Sequence, residues 1–287
     1  MAKDTSIKIL SVDDEQKDLA ALDKICTEKK ITLRKTSGAE EALTLLKAEH
    51  IDIIFSANLM PHMTGLQFLE LVKNRYPGTL RILMTPKADI FMELDAINQC
   101  ELFHIIAKPL KDHVLIKAID DAEKRLKIAG LLKHAAADEA KLLDLAQSIE
   151  LKDPYTKDHC ERVGKYALLI AGALNLTQEV KRQIKYGSWL HDCGKIDLPA
   201  VLLNFEGTLN ENQFKVVELH TQWGADIARQ AELPETIANI IQYHHESFDG
   251  TGYPKGLSGT DIPLEVRIVT VAEVYDVVTS DRPYRKA

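Results

Sequence analysis

Short apolar runs separated by helical periodicity fill the first part of the chain. The runs fall at Ile7–Val12, Thr32–Thr36, Asp52–Ala57, Arg81–Thr85 and Phe103–Ala107, with helical patterns in the gaps. Strand-length apolar runs alternating with helices predict a parallel sheet buried on both faces. The expected domain is a doubly wound α/β unit over residues 1–125, with five strands and five helices. In such a sheet the ligand site lies at the carboxyl ends of the strands.

From Asp112 to Leu151 no strong helix breaker occurs except Gly130, and Ala, Leu, Lys and Glu dominate. Ile119, Ala122, Leu126, Ala129, Lys133, Ala136, Ala140 and Leu143 recur three and four residues apart. This spacing predicts a long helical linker, assigned to residues 126–150, whose shallow seam suits either a homodimer or packing on the second domain. Beyond it strand signals fade. Helical periodicity covers Lys157–Leu174, Gln178–Leu190, Glu211–Ala231, Glu235–His245 and Pro263–Thr279. Residues 151–287 are therefore expected to form an all-α domain.

Composition narrows the setting. A chain of 287 residues with 45% hydrophobic residues can build two cores. A formal charge of -7 and the lack of a basic recognition helix argue against nucleic acid as partner. No apolar run reaches the roughly 18 residues of a membrane span, and no signal-peptide core follows Met1. Cys26, Cys100, Cys160 and Cys193 are scattered and form no paired motif, which suits a reducing cytoplasm.

The strand ends carry candidate chemistry. Asp13 and Asp14 follow the first run, Thr85 ends the fourth, and Lys108 with Pro109 ends the fifth. Paired carboxylates suit magnesium, and a hydroxyl with a lysine suits phosphoryl oxygens. A solvated turn is the plain alternative for the two aspartates. With the loop LMPHMTG at Leu59–Gly65, this set resembles the receiver domain of two-component response regulators. The resemblance implies a phosphoacceptor aspartate at the end of the third strand, four residues before the MP proline. That position holds Ala57, which has no nucleophile. Aspartyl phosphorylation is not expected, and a receiver-bound magnesium ion is left open. A signalling protein docked on this domain is an expected partner.

In the second domain His159, His191, Asp192, His220, His244 and His245 are candidate ligands for transition metals. Asp192 is the candidate bridge between two ions. His191 and Lys195 are four apart, so a helix would place them on one face and bring Lys195 to a substrate phosphate. The segments HDCGK at His191–Lys195 and HHESFDGTGYP at His244–Pro254 resemble the HD-GYP family. Membership implies a metal-dependent phosphodiesterase that hydrolyses cyclic di-GMP to linear pGpG, with GMP as a further product. It also implies a late ligand at Glu273, where the family has aspartate, with Asp276 behind it. Arg282 and Arg285 resemble the family's phosphate clamp, and Tyr253 faces substrate or braces its loop. Asp249 is expected to hold that loop through a backbone hydrogen bond. Some members hold a third metal on a glutamate where this chain has Tyr155, so two divalent ions are expected, iron or manganese first and zinc or nickel also accommodated. Family members commonly continue past the Arg-Pro-Tyr segment, whereas this chain stops at Ala287, which leaves C-terminal truncation open. Two rival functions stand beside the enzyme: a non-catalytic cyclic di-GMP binding module, and a hydrolase of another cyclic dinucleotide or phosphate ester.

Overall fold

The computed structural model describes residues 7–86, 100–150, 158–198, 202, 207 and 209–280. The chain divides into two units, Met1–Ile128 and Ala129–Ala287, each taken by itself.

The first unit is built on β1 (Lys8–Val12), β2 (Thr32–Thr36), β3 (Ile53–Ala57), β4 (Leu80–Pro86) and β5 (His104–Lys108). All pairings are parallel, in the order β2-β1-β3-β4-β5. Helices α1 (Gln16–Lys29), α2 (Ala39–Ala48), α3 (Gly65–Arg75) and α4 (Asp112–Ala135) accompany the sheet. Successive strand residues point to opposite faces. Accordingly Ile9, Ile53, Phe55, Ile82 and Met84 pack with Leu22 and Ile25 of α1 and with Leu115 and Ile119 of α4. The alternate residues Leu10, Val12, Ile54 and Leu83 pack with Ala42 and Leu46 of α2 and with Phe68 and Val72 of α3. The doubly wound expectation holds, with strand ends displaced by a residue or two. The place of the remaining helix, between β4 and β5, lies outside the described residues.

The linker is not one helix. Helix α4 runs through Gly130 to Ala135, and α5 (Glu139–Glu150) begins after a break at residues 136–138. Asp138 makes the restart, its Oδ1 accepting from the amides of Ala140 and Lys141 at 3.1 and 3.4 Å. Part of the expected dimer seam is also used internally, because Ile119, Ala122 and Leu126 belong to the first unit's core.

The second unit continues with α6 (His159–Ala173), α7 (Gln178–Leu190), α8 (Glu211–Gln230), α9 (Glu235–Tyr243) and α10 (Leu264–Thr279). A 3-10 turn, Cys193–Asp197, follows α7. Val163, Ala167 and Ala171 recur every four residues on α6 and meet Ile184 of α7, Ile240 of α9 and Val266 and Val269 of α10. This core fixes the helix ends that carry the candidate site. No helix among the described residues is long and apolar enough to cross a membrane.

Candidate metal centre

Three of the histidines share one local device. His191 follows the last residue of α7, His244 follows the last residue of α9, and His220 lies within α8. In each, Nδ1 lies on the carbonyl oxygen three residues back: Ser188 at 2.7 Å, Val217 at 2.7 Å and Ile241 at 2.8 Å. A carbonyl only accepts, so each Nδ1 carries a proton, and in the neutral ring Nε2 is left with the lone pair. His159 reaches the same state through a carboxylate, its Nδ1 lying 2.7 Å from Asp276 Oδ2. Among the described residues, the Nε2 atoms of His191, His220 and His244 are buried without a hydrogen-bond partner, as is Asp192 Oδ1. Buried polar atoms are ordinarily satisfied. Lone pairs left over and aimed inward fit a metal ion.

The candidate ligands gather into two groups. Asp192, His220, His244 and His245 form one, and His159, His191 and Glu273 form the other. Asp192 faces both. Its Oδ2 lies 3.4 Å from His191 Nε2, while its Oδ1 lies 3.4 Å from His220 Nε2 and 4.0 Å from His244 Nε2. All seven residues named from the sequence thus lie in one region of the second unit.

Charge in the site is strongly coupled. Burial dominates at His244 and His245, holding the first well below the ordinary imidazole range and the second down at about 3. Burial also lowers His159, against the opposing pull of Asp276. At His191 burial acts downward, but the Asp192 carboxylate outweighs it and lifts the imidazole to about 9. Asp192 is well below the carboxylate range, since Lys195 and His191 together overcome the cost of burial.

Lys195 sits differently from the sequence expectation. Helix α7 ends at Leu190, and Lys195 lies in the 3-10 turn, so no common α-helical face joins it to His191. Its Nζ instead lies 2.7 Å from Asp192 Oδ2.

Several supporting residues escaped the sequence reading. Arg162 binds Asp276 from the other side, Nε to Oδ1 at 2.6 Å and Nη2 to Oδ2 at 3.0 Å. Its signal is its place one turn after His159 on α6. Gly194 lets the HDCGK turn lie against α8, because a Cβ there would meet the His220 carbonyl and the Gly224 amide. Glu246, directly after the histidine pair, is buried and accepts from the amides of Lys255 at 2.7 Å and Leu257 at 3.0 Å. It pins the GYP loop from inside. Asp249 turns the loop from outside, accepting from the Thr251 amide at 3.0 Å. Tyr253 lies with its ring 4.8 Å from that of His245. Arg282, Arg285 and Tyr155 lie outside the described residues.

In the first unit Asp13, Ala57, Thr85 and Lys108 stand at the carboxyl ends of adjacent strands. Asp13 is buried and its Oδ2 lies 2.9 Å from Lys108 Nζ. Asp14, beside it in sequence, is exposed. Ala57 is 1% exposed, so a methyl group fills the expected phosphoacceptor position inside the fold.

The HD domain family matches residues 144–287, and the response regulator receiver domain family matches residues 9–120. Cyclic di-GMP phosphodiesterase response regulator RpfG of Xanthomonas campestris pv. campestris is 30% identical, with 99% of this chain and 81% of that protein aligned. A cyclic di-GMP phosphodiesterase of Thermotoga maritima is 26% identical over 96% of this chain and 81% of its own length. The 3′3′-cGAMP-specific phosphodiesterase 3 of Vibrio cholerae is 32% identical over 60% of this chain, which spans 38% of that protein. The HD match covers half of the chain and the RpfG match nearly all of it, and so this chain belongs to the HD domain family, with a response regulator receiver domain at its N-terminus.

Proposed function

We propose that this chain is a metal-dependent phosphodiesterase of cyclic di-GMP. The observation that supports this most is the position of Asp192. Each of its oxygens faces a different group of ligand atoms, as a two-metal hydrolytic site requires. The first group would hold one ion on His220, His244 and His245, the second another on His159, His191 and Glu273, with Asp192 common to both. The mixed imidazole and carboxylate set favours iron or manganese over a lone magnesium ion. When bound, the ions supply Lewis-acid polarisation and a water acidic enough to attack at neutral pH.

The remaining work belongs to the chain. Water adds to phosphorus, the bond to the 3′ oxygen breaks, and a proton ends on that leaving oxygen, giving linear pGpG. A second cut of the same kind gives GMP. Negative charge grows on the non-bridging oxygens as this happens. The Lys195 ammonium, held beside Asp192, is placed to offset it. Arg282 and Arg285 are proposed as further phosphate contacts. Tyr253, braced on His245 by a loop that Glu246 pins, closes the site on the nucleotide side.

A second reading, hydrolysis of 3′3′-cGAMP, is favoured by the Vibrio cholerae relatives of that specificity, which are 30 to 33% identical. Anaerobic turnover and metal analysis on one preparation test both. Cyclic di-GMP, 3′3′-cGAMP and a generic phosphodiester are compared. Linear pGpG formed fastest supports the proposal, and faster cleavage of 3′3′-cGAMP supports the second reading. Tight cyclic di-GMP binding by metal-loaded protein without product overturns both in favour of a binding module.

A further inference from the structure

We propose that Phe214 and Glu218, on one face of α8, form a guanine subsite beside the metal centre and set which cyclic dinucleotide the chain prefers. This rests on the cyclic-dinucleotide reading and assigns residues which that reading leaves unused.

Phe214 is 46% exposed. It is not isolated. Its ring stands edge-on to Tyr253 with centroids 5.9 Å apart and an interplanar angle of 83°. The Tyr253 ring in turn lies 4.8 Å from the imidazole of His245. The three rings make a ladder from a candidate metal ligand outward to solvent, and its outer rung offers an open aromatic surface. A purine base joined to a phosphate at the metals meets this surface. Base–aromatic stacking is worth roughly 5- to 150-fold in affinity and accepts any base.

Discrimination needs a polar reader, and Glu218 supplies one. It lies four residues after Phe214 on the same helix, hence one turn along the same face. Its side chain is half-buried and makes no hydrogen bond or ion pair among the described residues. Along α8 it stands between Phe214 and the candidate ligand His220. An ionised carboxylate is an acceptor only. Guanine presents two adjacent donors on its Watson–Crick edge, N1–H and the N2 amino group, and pairs with it in a fork. Adenine presents an acceptor at N1, which the same carboxylate repels. A site built on such bonds rejects the partner that lacks them.

The test measures dissociation constants of the metal-loaded full chain for hydrolysis-resistant phosphorothioate forms of cyclic di-GMP and cyclic di-AMP. The parent, Glu218→Gln, Phe214→Ala and Phe214→Trp are compared, with metal content measured on each. Glu218→Gln is expected to weaken cyclic di-GMP about tenfold or more and cyclic di-AMP less than about twofold. Phe214→Ala is expected to weaken both by similar factors of roughly fivefold or more, and Phe214→Trp to restore both. Metal content is unchanged throughout. Equal weakening of the two nucleotides by Glu218→Gln, or unchanged affinity in Phe214→Ala, overturns the subsite. Loss of metal in either variant assigns the residue to the fold and overturns it as well. A metal-loaded parent that binds neither nucleotide overturns the cyclic-dinucleotide reading itself, whatever the variants do.

Discussion

Asp276 and His159, 117 positions apart in sequence, meet at 2.7 Å inside the second unit. The carboxylate fixes the ring's tautomer and is itself fixed by Arg162. Partners of this kind raise ligand basicity, and their loss typically costs about 10- to 100-fold in metal affinity. Asp276→Asn is expected to fall in that range while the protein remains folded, because the amide retains one acceptor for His159. Metal affinity by chelator competition, beside far-ultraviolet circular dichroism, checks this.

Asp192 and Lys195 predict different losses although they touch. Asp192→Ala removes an oxygen from each ligand group, so affinity should fall for both ions. Lys195→Ala should leave most of the metal in place and lower turnover by about 100- to 1,000-fold, the usual scale for one electrostatic contact to the transition state. Metal-to-protein ratios with single-turnover rates separate the two. Equal metal loss in both variants would make Lys195 a support of Asp192 and not a phosphate contact.

Gly194→Ala is expected to damage the fold and the site together. The added methyl runs into the His220 carbonyl and the Gly224 amide, and neither is the loose end of a side chain. Overpacking usually costs about 1–3 kcal/mol, and a backbone obstacle belongs at or above the upper end. Denaturant unfolding should show the loss, and metal content should fall with it because Asp192 and His220 are pushed apart.

Glu273→Asp should raise the chemical rate more than nucleotide affinity, by roughly severalfold. The shorter carboxylate matches the family pattern, and placement errors weigh more on the transition state than on bound nucleotide. Single-turnover kinetics on metal-saturated protein provide the measurement. A slower variant with unchanged metal content would show the pocket to be adapted to glutamate.

Acetyl phosphate should leave the first unit unlabelled, since Ala57 holds the position where an aspartate would attack. Ala57→Asp should restore labelling in magnesium, with Asp13, Thr85 and Lys108 already standing at the neighbouring strand ends. Intact mass decides it, and a phosphoryl adduct on the parent chain would refute the assignment.

The sheet was legible because its inner strands are buried along nearly their whole length and are mostly apolar, as IIFSA of β3 is, whereas the edge strand TLRKT of β2 carries a weaker signal. The linker is helical as expected, but its break was not legible. Alanine favours helix on either side of a break, so AAAD gives no apolar signal, and only the capping preference of Asp138 marks the restart. In the candidate site the ligand types were readable because imidazole and carboxylate announce their chemistry. Their supports were not, since Arg162, Gly194 and Glu246 act through geometry that spacing alone does not display. Asp13 and Asp14 show a further limit: adjacent carboxylates read alike in sequence, yet Asp13 is buried against Lys108 and Asp14 is exposed.

The carbonyl contacts behind His191, His220 and His244 have a consequence for how the protein meets its environment. Their Nδ1 protons are stationed before any ion arrives, so capture requires no tautomer exchange, and His191 has only its Nε2 proton to give up. The occupant is then decided by cellular supply along the general affinity series of divalent metals. The site proposed for cyclic di-GMP would then respond to the metal supply of the cell as well as to the nucleotide.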